Sequence, residues 1–258
     1  MNQAAQGLRV LVTAGAAGIG KAFATTFADA GARVFVCDID PDALDALRAA
    51  RPAIGSCVAD VAEPLQVDAL FDAATGFLGG LDVLINNAGI AGPTAPVEAI
   101  AIAEWNRTLA VDLNGMFYCT RRAVPLLKQA GGGSIINLSS VAGRLGFPLR
   151  TPYAAAKWAV VGFTKSLAME LGPANIRVNA IQPGVVAGER IERVVAAKAK
   201  ALGVSVEDYR QQMLSKVSLR RSVSPVDIAN MALFLATAAG RNISGQALSV
   251  CGNVESLV

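Results

Sequence analysis

Three residues near the middle of the chain have the types and spacing needed for acid–base chemistry. Tyr153 and Lys157 lie four residues apart in the string TPYAAAKWAVVGF, and Ser140 ends the upstream string INLSS. Four residues span about one helical turn, so the phenol and the ammonium share a helix face. A cation about 4 Å from a phenol stabilises the phenolate by at most 4 kcal/mol or so, at an effective dielectric near 20. Taken alone, such a pair is more often a half-buried aromatic residue beside a solvated lysine.

The composition excludes several other kinds of site. The chain has no histidine, which excludes Ser-His-Asp hydrolysis and histidine-ligated zinc. Its cysteines are far apart, so neither a disulfide framework nor a metal site is expected, and reduced thiols predict a cytoplasmic protein. They are Cys37, Cys57, Cys119 and Cys251. The net charge of +3 includes no dense basic run, and no apolar stretch is long enough for a membrane span, so neither nucleic acid nor membrane is expected as a partner.

Short apolar runs alternate with longer helical patterns along the whole chain. This alternation predicts βαβ units in one parallel sheet, within a single α/β domain over residues 1–258. Hydrophobic residues make up 53% and charged residues 17%, as expected for a sheet covered on both faces. The predicted strands are 8–13, 33–38, 54–59, 83–86, 134–139, 176–182 and 247–250. The predicted helices begin near residues 19, 42, 64, 103, 152 and 225, and segment 185–222 is expected to form one or two helices that could act as a substrate lid.

A glycine-rich turn joins the first predicted strand to the first predicted helix. It reads Thr13-Ala14-Gly15-Ala16-Ala17-Gly18-Ile19-Gly20. Small residues let a pyrophosphate approach the backbone, and the helix N-terminus offers unpaired N–H groups. The alternative is a tight turn without a ligand. The residues expected to contact a dinucleotide here are Thr13, Gly15, Ala17, Gly18, Ile19 and Gly20.

Asp38 ends the second predicted strand, about 20 residues after the glycines. An acid at this place accepts hydrogen bonds from the adenine-ribose hydroxyls and repels a 2′-phosphate. One such charge pair at about 4 Å costs roughly 4 kcal/mol, close to a thousandfold in affinity. Because no arginine lies in the turn or directly after Asp38, NAD is predicted over NADP. The alternative is that Asp38 only caps the turn into Pro41.

Two further loops follow strands at the same edge of the predicted sheet. Asp60 could accept from an adenine amino group, and Val61 offers its backbone. Asn87, Ala88 and Gly89 provide small residues where a dinucleotide would cross the sheet edge. Either feature could also be ordinary loop chemistry.

In this order, the turn, Asp38, the string NNAG, the string INLSS and the Tyr-x3-Lys pair resemble a short-chain dehydrogenase/reductase over nearly the whole length. The resemblance implies a Rossmann-type doubly wound sheet of about seven parallel strands, a homotetramer, and hydride transfer between NAD(H) and a carbonyl or alcohol carbon. It makes Tyr153 the acid/base, Ser140 the group that polarises the substrate oxygen, and Lys157 the ligand of the nicotinamide ribose. Asn114 would hold a water molecule in a proton relay. The resemblance also places Pro183, Gly184 and Val186 against the cofactor.

The relay role of Asn114 also has an argument from its surroundings. Asn114 lies in the helix-like run LAVDLNGMFYCT, where asparagine is a poor helix former. An inward polar side chain there needs partners, which a water relay supplies. The alternative is an exposed asparagine before Gly115.

The chain departs from the family pattern at several positions. Ala14 replaces the first glycine of the turn, so cofactor affinity could suffer. Gly188 lies where the family usually places a threonine after Pro183-Gly184. Near the C-terminus, Cys251 and Asn253 lie where the family often has aspartate and glycine.

The substrate is less constrained. Arg144, Arg150 and Arg190 come from segments expected at the open end of the site, where an arginine could bind a substrate carboxylate or phosphate. They could equally be surface residues. A small polar substrate such as a sugar, polyol or hydroxy acid is predicted. A 3-oxoacyl thioester reductase acting on acyl-carrier protein, and a non-catalytic dinucleotide sensor or scaffold, remain the alternatives.

Overall fold

The computed structural model describes residues 4–257 and contains one seven-stranded parallel sheet. Each predicted strand is present, and its ends differ from the prediction by at most one residue. The strands are Arg9–Thr13 (β1), Arg33–Asp38 (β2), Gly55–Val58 (β3), Val83–Asn86 (β4), Gly133–Leu138 (β5), Ile176–Pro183 (β6) and Ala247–Val250 (β7).

The predicted helices are also present, each beginning within one residue of its predicted start. The helices are Gly18–Asp29 (α1), Pro41–Ala50 (α2), Pro64–Leu78 (α3), Ile102–Leu109 (α4), Gly115–Gln129 (α5), Thr151–Leu171 (α6), Glu189–Leu202 (α7), Val206–Ser215 (α8) and Pro225–Ala236 (α9). Segment 185–222, for which one or two helices were predicted, contains two, α7 and α8.

The strand order is β3-β2-β1-β4-β5-β6-β7, so the chain reverses its direction of winding between β1 and β4. Loops that leave the carboxyl ends of these two strands diverge and open a crevice, which is where open α/β sheets bind ligands. The glycine-rich turn follows β1 and the NNAG loop follows β4, so both predicted cofactor segments meet at this crevice.

Alternating strand residues pack into two hydrophobic layers. Val10 and Val12 of β1 face a layer formed with α1, α2 and α9, whereas Leu11 faces the layer of α3 and α5. Successive side chains of a strand point to opposite faces, and both faces of this sheet are covered. This arrangement explains the apolar composition and fixes the carboxyl edge of the sheet as a rigid platform.

One local feature of the helical layer was not predicted. The helix that begins with α4 continues into α5 through a π-helical segment, Ala110–Asn114. A π-helical turn adds a residue to the helix and changes which side chains point inward, and such turns frequently occur at functional sites. Here the segment lies beside the predicted catalytic residues.

Candidate active site

The loops after β1 and β4 are joined by side-chain hydrogen bonds. The Thr13 hydroxyl accepts from the backbone N–H groups of Asn87 and Ala88, each at 3.0 Å. The Asn87 side chain donates back to the carbonyls of Thr13 (3.0 Å) and Ala14 (2.9 Å). Thr13 is buried, so it acts here by tying the two loops together and fixing the shape of the crevice.

The glycine-rich turn keeps an open surface where α1 begins. Gly18 has φ +53°, and a Cβ built on it would meet no atom within 4 Å among the described residues. Ala17, the residue before α1, caps the helix with no side-chain hydrogen bond, so the first N–H groups of α1 are not covered by a polar side chain. A Cβ at Gly20 would collide with the Ala14 carbonyl. Ile19 is partly buried against the first hydrophobic layer.

Ala14, the departure from the family's first glycine, adopts φ +51°. This left-handed conformation strains a residue that carries a Cβ. The next residue, Gly15, lies close to Val36. A Cβ added to Gly15 would be 2.5 Å from the Cβ of Val36. The turn therefore keeps its tight shape at the expense of backbone strain at Ala14.

The Asp38 carboxylate reaches back to the glycine-rich turn. Its Oδ2 accepts from the Ala16 N–H at 3.1 Å, and its Oδ1 accepts from the N–H groups of Ile39 (2.8 Å) and Asp40 (3.3 Å). A carboxylate has about four acceptor positions, so Oδ2 retains a free one on this partly exposed side chain. The helix cap that precedes Pro41 is made by Asp40 and not by Asp38.

The remaining predicted cofactor residues are held by neighbouring elements. Asp60 accepts from Arg107 at 2.8 Å and from Ala62 N–H at 2.9 Å, and the Val61 side chain is buried. On the far side of the crevice, a Cβ at Gly184 would lie 2.6 Å from that of Cys251. Pro183 ends β6, and Val186 forms a parallel bridge with Val223.

Two of the residues that depart from the family pattern fit their surroundings in this structure. Gly188 precedes α7 with φ +141°, a conformation in which a β-branched threonine would be strained. Cys251 is buried against Gly184, and its sulfur accepts from the Val254 N–H at 3.4 Å. Both residues thus suit the local backbone of this chain.

Ser140 lies just beyond the end of β5. Its Oγ accepts from the Ala142 N–H at 3.1 Å, which leaves the hydroxyl proton available to another acceptor. The preceding Ser139 donates to the Lys157 carbonyl at 2.8 Å and so fastens the strand end to α6. Ser140 therefore lies at the same edge as the first turns of α6, which carry Tyr153 and Lys157.

Lys157 is buried and has a carboxylate beside it. Its Nζ donates to the Leu138 carbonyl at 3.1 Å and lies 3.3 Å from Asp112 Oδ2. Asp112 is fully buried in the π-helical segment, and its Oδ1 accepts from the Ile90 N–H at 2.6 Å. The ion pair also borders Gly89, where an added Cβ would lie 3.2 Å from Nζ and 3.3 Å from Oδ1. Asp112 thus connects the NNAG loop to the lysine.

The structure corrects the prediction for Asn114. Asn114 ends the π-helical segment with its side chain exposed, whereas Asp112, two residues earlier, is the polar side chain that points inward. The π-helical turn sets this direction, because it changes the angular spacing of side chains. The signal in the sequence was Asp112 itself, an acid inside the apolar run LAVDL.

Three cations surround the ring of Tyr153. Its centroid lies 5.5 Å from Lys157 Nζ, 5.2 Å from the Arg150 guanidinium carbon and 5.9 Å from that of Arg190. Cations within about 6 Å of an aromatic ring are attracted to it. Three positive charges therefore lie around the ring of the predicted acid/base.

The three predicted substrate arginines separate into two groups. Arg150 and Arg190 line a cavity of about 350 Å³ between the loop 89–94 and α7. Arg144 does not line this cavity: it donates to the Val254 carbonyl at 3.1 Å and lies beside Cys251, so the structure does not bring it together with the other two arginines. The C-terminal segment, which folds back over that loop, attracts its side chain.

Sequence reasoning missed a buried lysine near the same cavity. Lys198 on α7 is 1% exposed and donates to the Pro148 carbonyl at 2.7 Å. Burial, together with the charge of Arg150, lowers the pKa of Lys198 to about 8. The sequence of α7 is rich in alanine and lysine, so nothing in it distinguishes the buried Lys198 from its exposed neighbours.

Within residues 4–257, no cluster of histidine, cysteine or acidic side chains could hold a metal ion. Over the same range, no helix combines the length and the apolar character that a membrane crossing requires.

Comparison with known proteins gives matches along nearly the whole chain. A family model described as enoyl-(acyl carrier protein) reductase matches residues 14–253. Galactitol 2-dehydrogenase of Agrobacterium fabrum is 38% identical over 244 residues, which are 94% of this chain and 95% of that protein. Cis-4-hydroxycyclohexanecarboxylate dehydrogenase of Sinomonas cyclohexanicum is 34% identical over 250 residues, with 96% of each chain covered.

A solved structure agrees in fold. The crystal structure of NAD⁺-bound xylitol dehydrogenase superposes with a TM-score of 0.92 at 30% identity, covering 96% of this chain and 98% of that one. With this match, the family model and the two curated relatives, the chain belongs to the short-chain dehydrogenase/reductase family, as its motifs predicted.

Proposed function

We propose that this oxidoreductase interconverts a small polar secondary alcohol and its ketone, with NAD(H) as the redox partner. The relatives named above act on a polyol and on a cyclic hydroxy acid. The observation that carries the proposal is the Tyr153 ring surrounded by three cations at the carboxyl edge of the sheet. Ser140 lies at the same edge, directly after Ser139, which fastens the end of β5 to α6. When bound, the nicotinamide accepts or supplies the hydride.

The proton chemistry belongs to the side chains of this chain. During alcohol oxidation Tyr153 takes the hydroxyl proton, and during ketone reduction it returns a proton to the oxygen. Ser140, whose hydroxyl proton is free, donates a hydrogen bond to the same substrate oxygen. Lys157 supplies a fixed positive charge, held in place by Asp112 and the Leu138 carbonyl. Positioned proton transfer of this kind typically contributes about 10²–10⁴ in rate.

The choice of NAD rests on Asp38. Its carboxylate is fixed beside the turn by the Ala16 N–H and keeps an acceptor position for a ribose hydroxyl. A 2′-phosphate placed there would face this negative charge. The open surface at Gly18 and the uncapped start of α1 suit a pyrophosphate.

Two further properties form part of the proposal. Self-association, as a homotetramer, would cover apolar side chains on the outer faces of α5 and α6, where Phe117 of α5 is 49% exposed, and Trp158 and Met169 of α6 are 52% and 83% exposed. Segment 185–222 would act as a lid, because α7 forms one wall of the cavity. Reduced thiols remain the basis for a cytoplasmic location.

The first test is the reduction of NAD and of NADP across a panel of polyols, sugars, hydroxy acids and simple secondary alcohols. Turnover with NAD that disappears in Tyr153→Phe supports the proposal. Preference for NADPH with a 3-oxoacyl thioester would instead support the biosynthetic reductase. Tight dinucleotide binding without turnover of any alcohol or ketone would support the sensor or scaffold.

A further inference from the structure

Arg150 is a buried arginine with unused hydrogen-bond donors. The residue is 2% exposed, and its Nη2 donates to the Ala91 carbonyl at 2.5 Å. Its Nε and Nη1 have no hydrogen-bond partner within residues 4–257, and no carboxylate of that range lies within 4 Å. A buried donor that lacks a partner destabilises the folded state, and more so when the group is charged. A buried arginine of this kind calls for an anionic partner.

Arg150 borders a cavity next to the proposed acid/base. Arg150 lines the cavity of about 350 Å³, together with loop 89–94 and the first half of α7. Its guanidinium carbon lies 5.2 Å from the Tyr153 ring centroid. A ligand in this cavity that reaches the phenol with one group therefore has Arg150 within reach of another. The volume suits a small molecule and not a long acyl chain.

Other cations add to the positive potential of this cavity. Arg190 donates to the Gly89 carbonyl at 3.1 Å, and its guanidinium carbon lies 5.9 Å from the Tyr153 ring centroid. Lys198 lies 4.6 Å from the Phe147 ring centroid, and Arg150 lies 5.2 Å from the same centroid. Arg193 also lines the cavity, but it is exposed and pairs with Glu189. A small cavity lined by one sign of charge concentrates ligands of the other sign.

Two carboxylates near this site, among the residues that the structure describes, already have cationic partners. Asp112 is already paired with Lys157, and Glu192 on α7 is paired with Arg210 of α8. Among residues 4–257, Arg150 and Arg190 thus border the cavity with no carboxylate paired to either of them.

We propose that Arg150 binds a carboxylate of the substrate, so that the protein acts on a hydroxy acid whose secondary alcohol contacts Tyr153. A guanidinium forms charge-assisted hydrogen bonds with a carboxylate, and the Nε and Nη1 atoms of Arg150 are donors without a partner. This inference rests on the proposed function and makes Arg150 a residue that determines specificity. The same N–H groups would also bind a phosphate, either of a substrate ester or of the dinucleotide. The experiment separates these sources.

The experiment compares substrates that differ only in charge. Initial rates with NAD are measured for cis-4-hydroxycyclohexanecarboxylate and its carboxamide, and for galactonate and galactitol. We expect the acid to exceed its uncharged partner in kcat/KM by about 10- to 100-fold, the range given by a charge-assisted hydrogen-bonded pair. Arg150→Gln should remove this preference, so that the acid and its uncharged partner have kcat/KM values within about threefold of each other in this variant. Arg193→Gln, at an exposed and already paired arginine of the same cavity, is the matched control and should keep the preference.

Two binding measurements remove the remaining ambiguity. Cyclohexanecarboxylate and inorganic phosphate are titrated into the protein–NADH complex by calorimetry, for the wild type, Arg150→Gln and the more conservative Arg150→Lys. NADH affinity is measured by fluorescence in all three, and thermal melting shows whether each is folded. Carboxylate binding that is lost in Arg150→Gln and partly kept in Arg150→Lys, with NADH affinity unchanged, supports the proposal.

Several outcomes would overturn the inference. Weakened NADH binding in Arg150→Gln would assign the anion to the cofactor, and tight phosphate binding with no carboxylate binding would assign it to a phosphate ester. Equal kcat/KM for acid and amide in an active wild type would overturn the inference but leave the proposed function intact. Absence of turnover with every alcohol, together with carboxylate binding at Arg150, would overturn the proposed function but leave the binding of a carboxylate by Arg150 intact.

Discussion

The ammonium of Lys157 lies 3.3 Å from the carboxylate of Asp112, and both groups are buried. Removing one partner of a buried ion pair leaves an uncompensated charge, which typically costs about 3–5 kcal/mol. Because Asp112 also accepts from the Ile90 N–H, it holds the lysine and the NNAG loop in one arrangement. Asp112 is therefore a positioning residue that acts through Lys157.

Substitution at Asp112 should affect both stability and turnover. We expect Asp112→Ala to lower the free energy of unfolding by about 3 kcal/mol and to reduce kcat at least tenfold. Asp112→Asn keeps an acceptor of the same shape and should lose less stability. Urea denaturation and initial rates measure the two effects.

Asn114→Ala is the matched control, two residues away in the same π-helical segment. As an exposed substitution it should change the free energy of unfolding by less than about 0.5 kcal/mol and leave kcat close to that of the wild type. A large loss of turnover in Asn114→Ala, with little loss in Asp112→Ala, would return the relay role to Asn114.

Removal of the Tyr153 hydroxyl should separate chemistry from cofactor binding. Tyr153→Phe keeps the ring that contacts Arg150, Arg190 and Lys157, so the surrounding cations keep their positions. We expect kcat to fall by about 10²–10⁴, the usual contribution of positioned proton transfer, while NADH affinity stays within a factor of three. Tyr118→Phe on α5 serves as the control, and turnover preserved in Tyr153→Phe would remove the phenol from the mechanism.

The strands could be predicted to within one residue, because the central ones are runs of buried apolar residues and every run ends at a turn. The edge strands β3 and β7 are only partly buried. Asp112 and Asn114 could not be distinguished, since a regular helical period does not include the π-helical turn that selects Asp112. Arg144 and Lys198 were placed by contacts with residues far along the chain, Val254 and Pro148 respectively. Sequence spacing carries information about neighbours on one element and little about such distant partners.

The cofactor preference should depend on the charge of Asp38. Asp38→Asn keeps an acceptor for the Ala16 N–H but removes the repulsion of a 2′-phosphate, so the NAD/NADP ratio of kcat/KM should narrow by about 10- to 1000-fold. Steady-state rates with both dinucleotides measure the ratio. Asp40→Asn, which keeps the capping geometry of α2, is the control. A ratio that is unaltered in Asp38→Asn would refute the ribose assignment.

Stability should depend on pH through Lys198. Burial and the nearby Arg150 charge lower its pKa to about 8 in the folded protein, against a usual value of 10.5. Between these two pH values the unfolded chain binds the proton and the folded protein does not, so this lysine makes stability rise with pH from about 8 to about 10.5. Below pH 8 both states are protonated and its contribution is constant.

Urea denaturation at intervals from pH 7 to pH 10 tests this dependence. The wild type should gain stability relative to Lys198→Met as the pH rises above about 8, whereas the difference between the two should stay constant below it. Lys200→Met, at an exposed lysine of the same helix, should follow the wild type at every pH. Because other groups titrate equally in all three proteins, only the difference between curves carries the argument. Parallel curves for the wild type and Lys198→Met would mean that Lys198 has the same pKa in the folded and unfolded states.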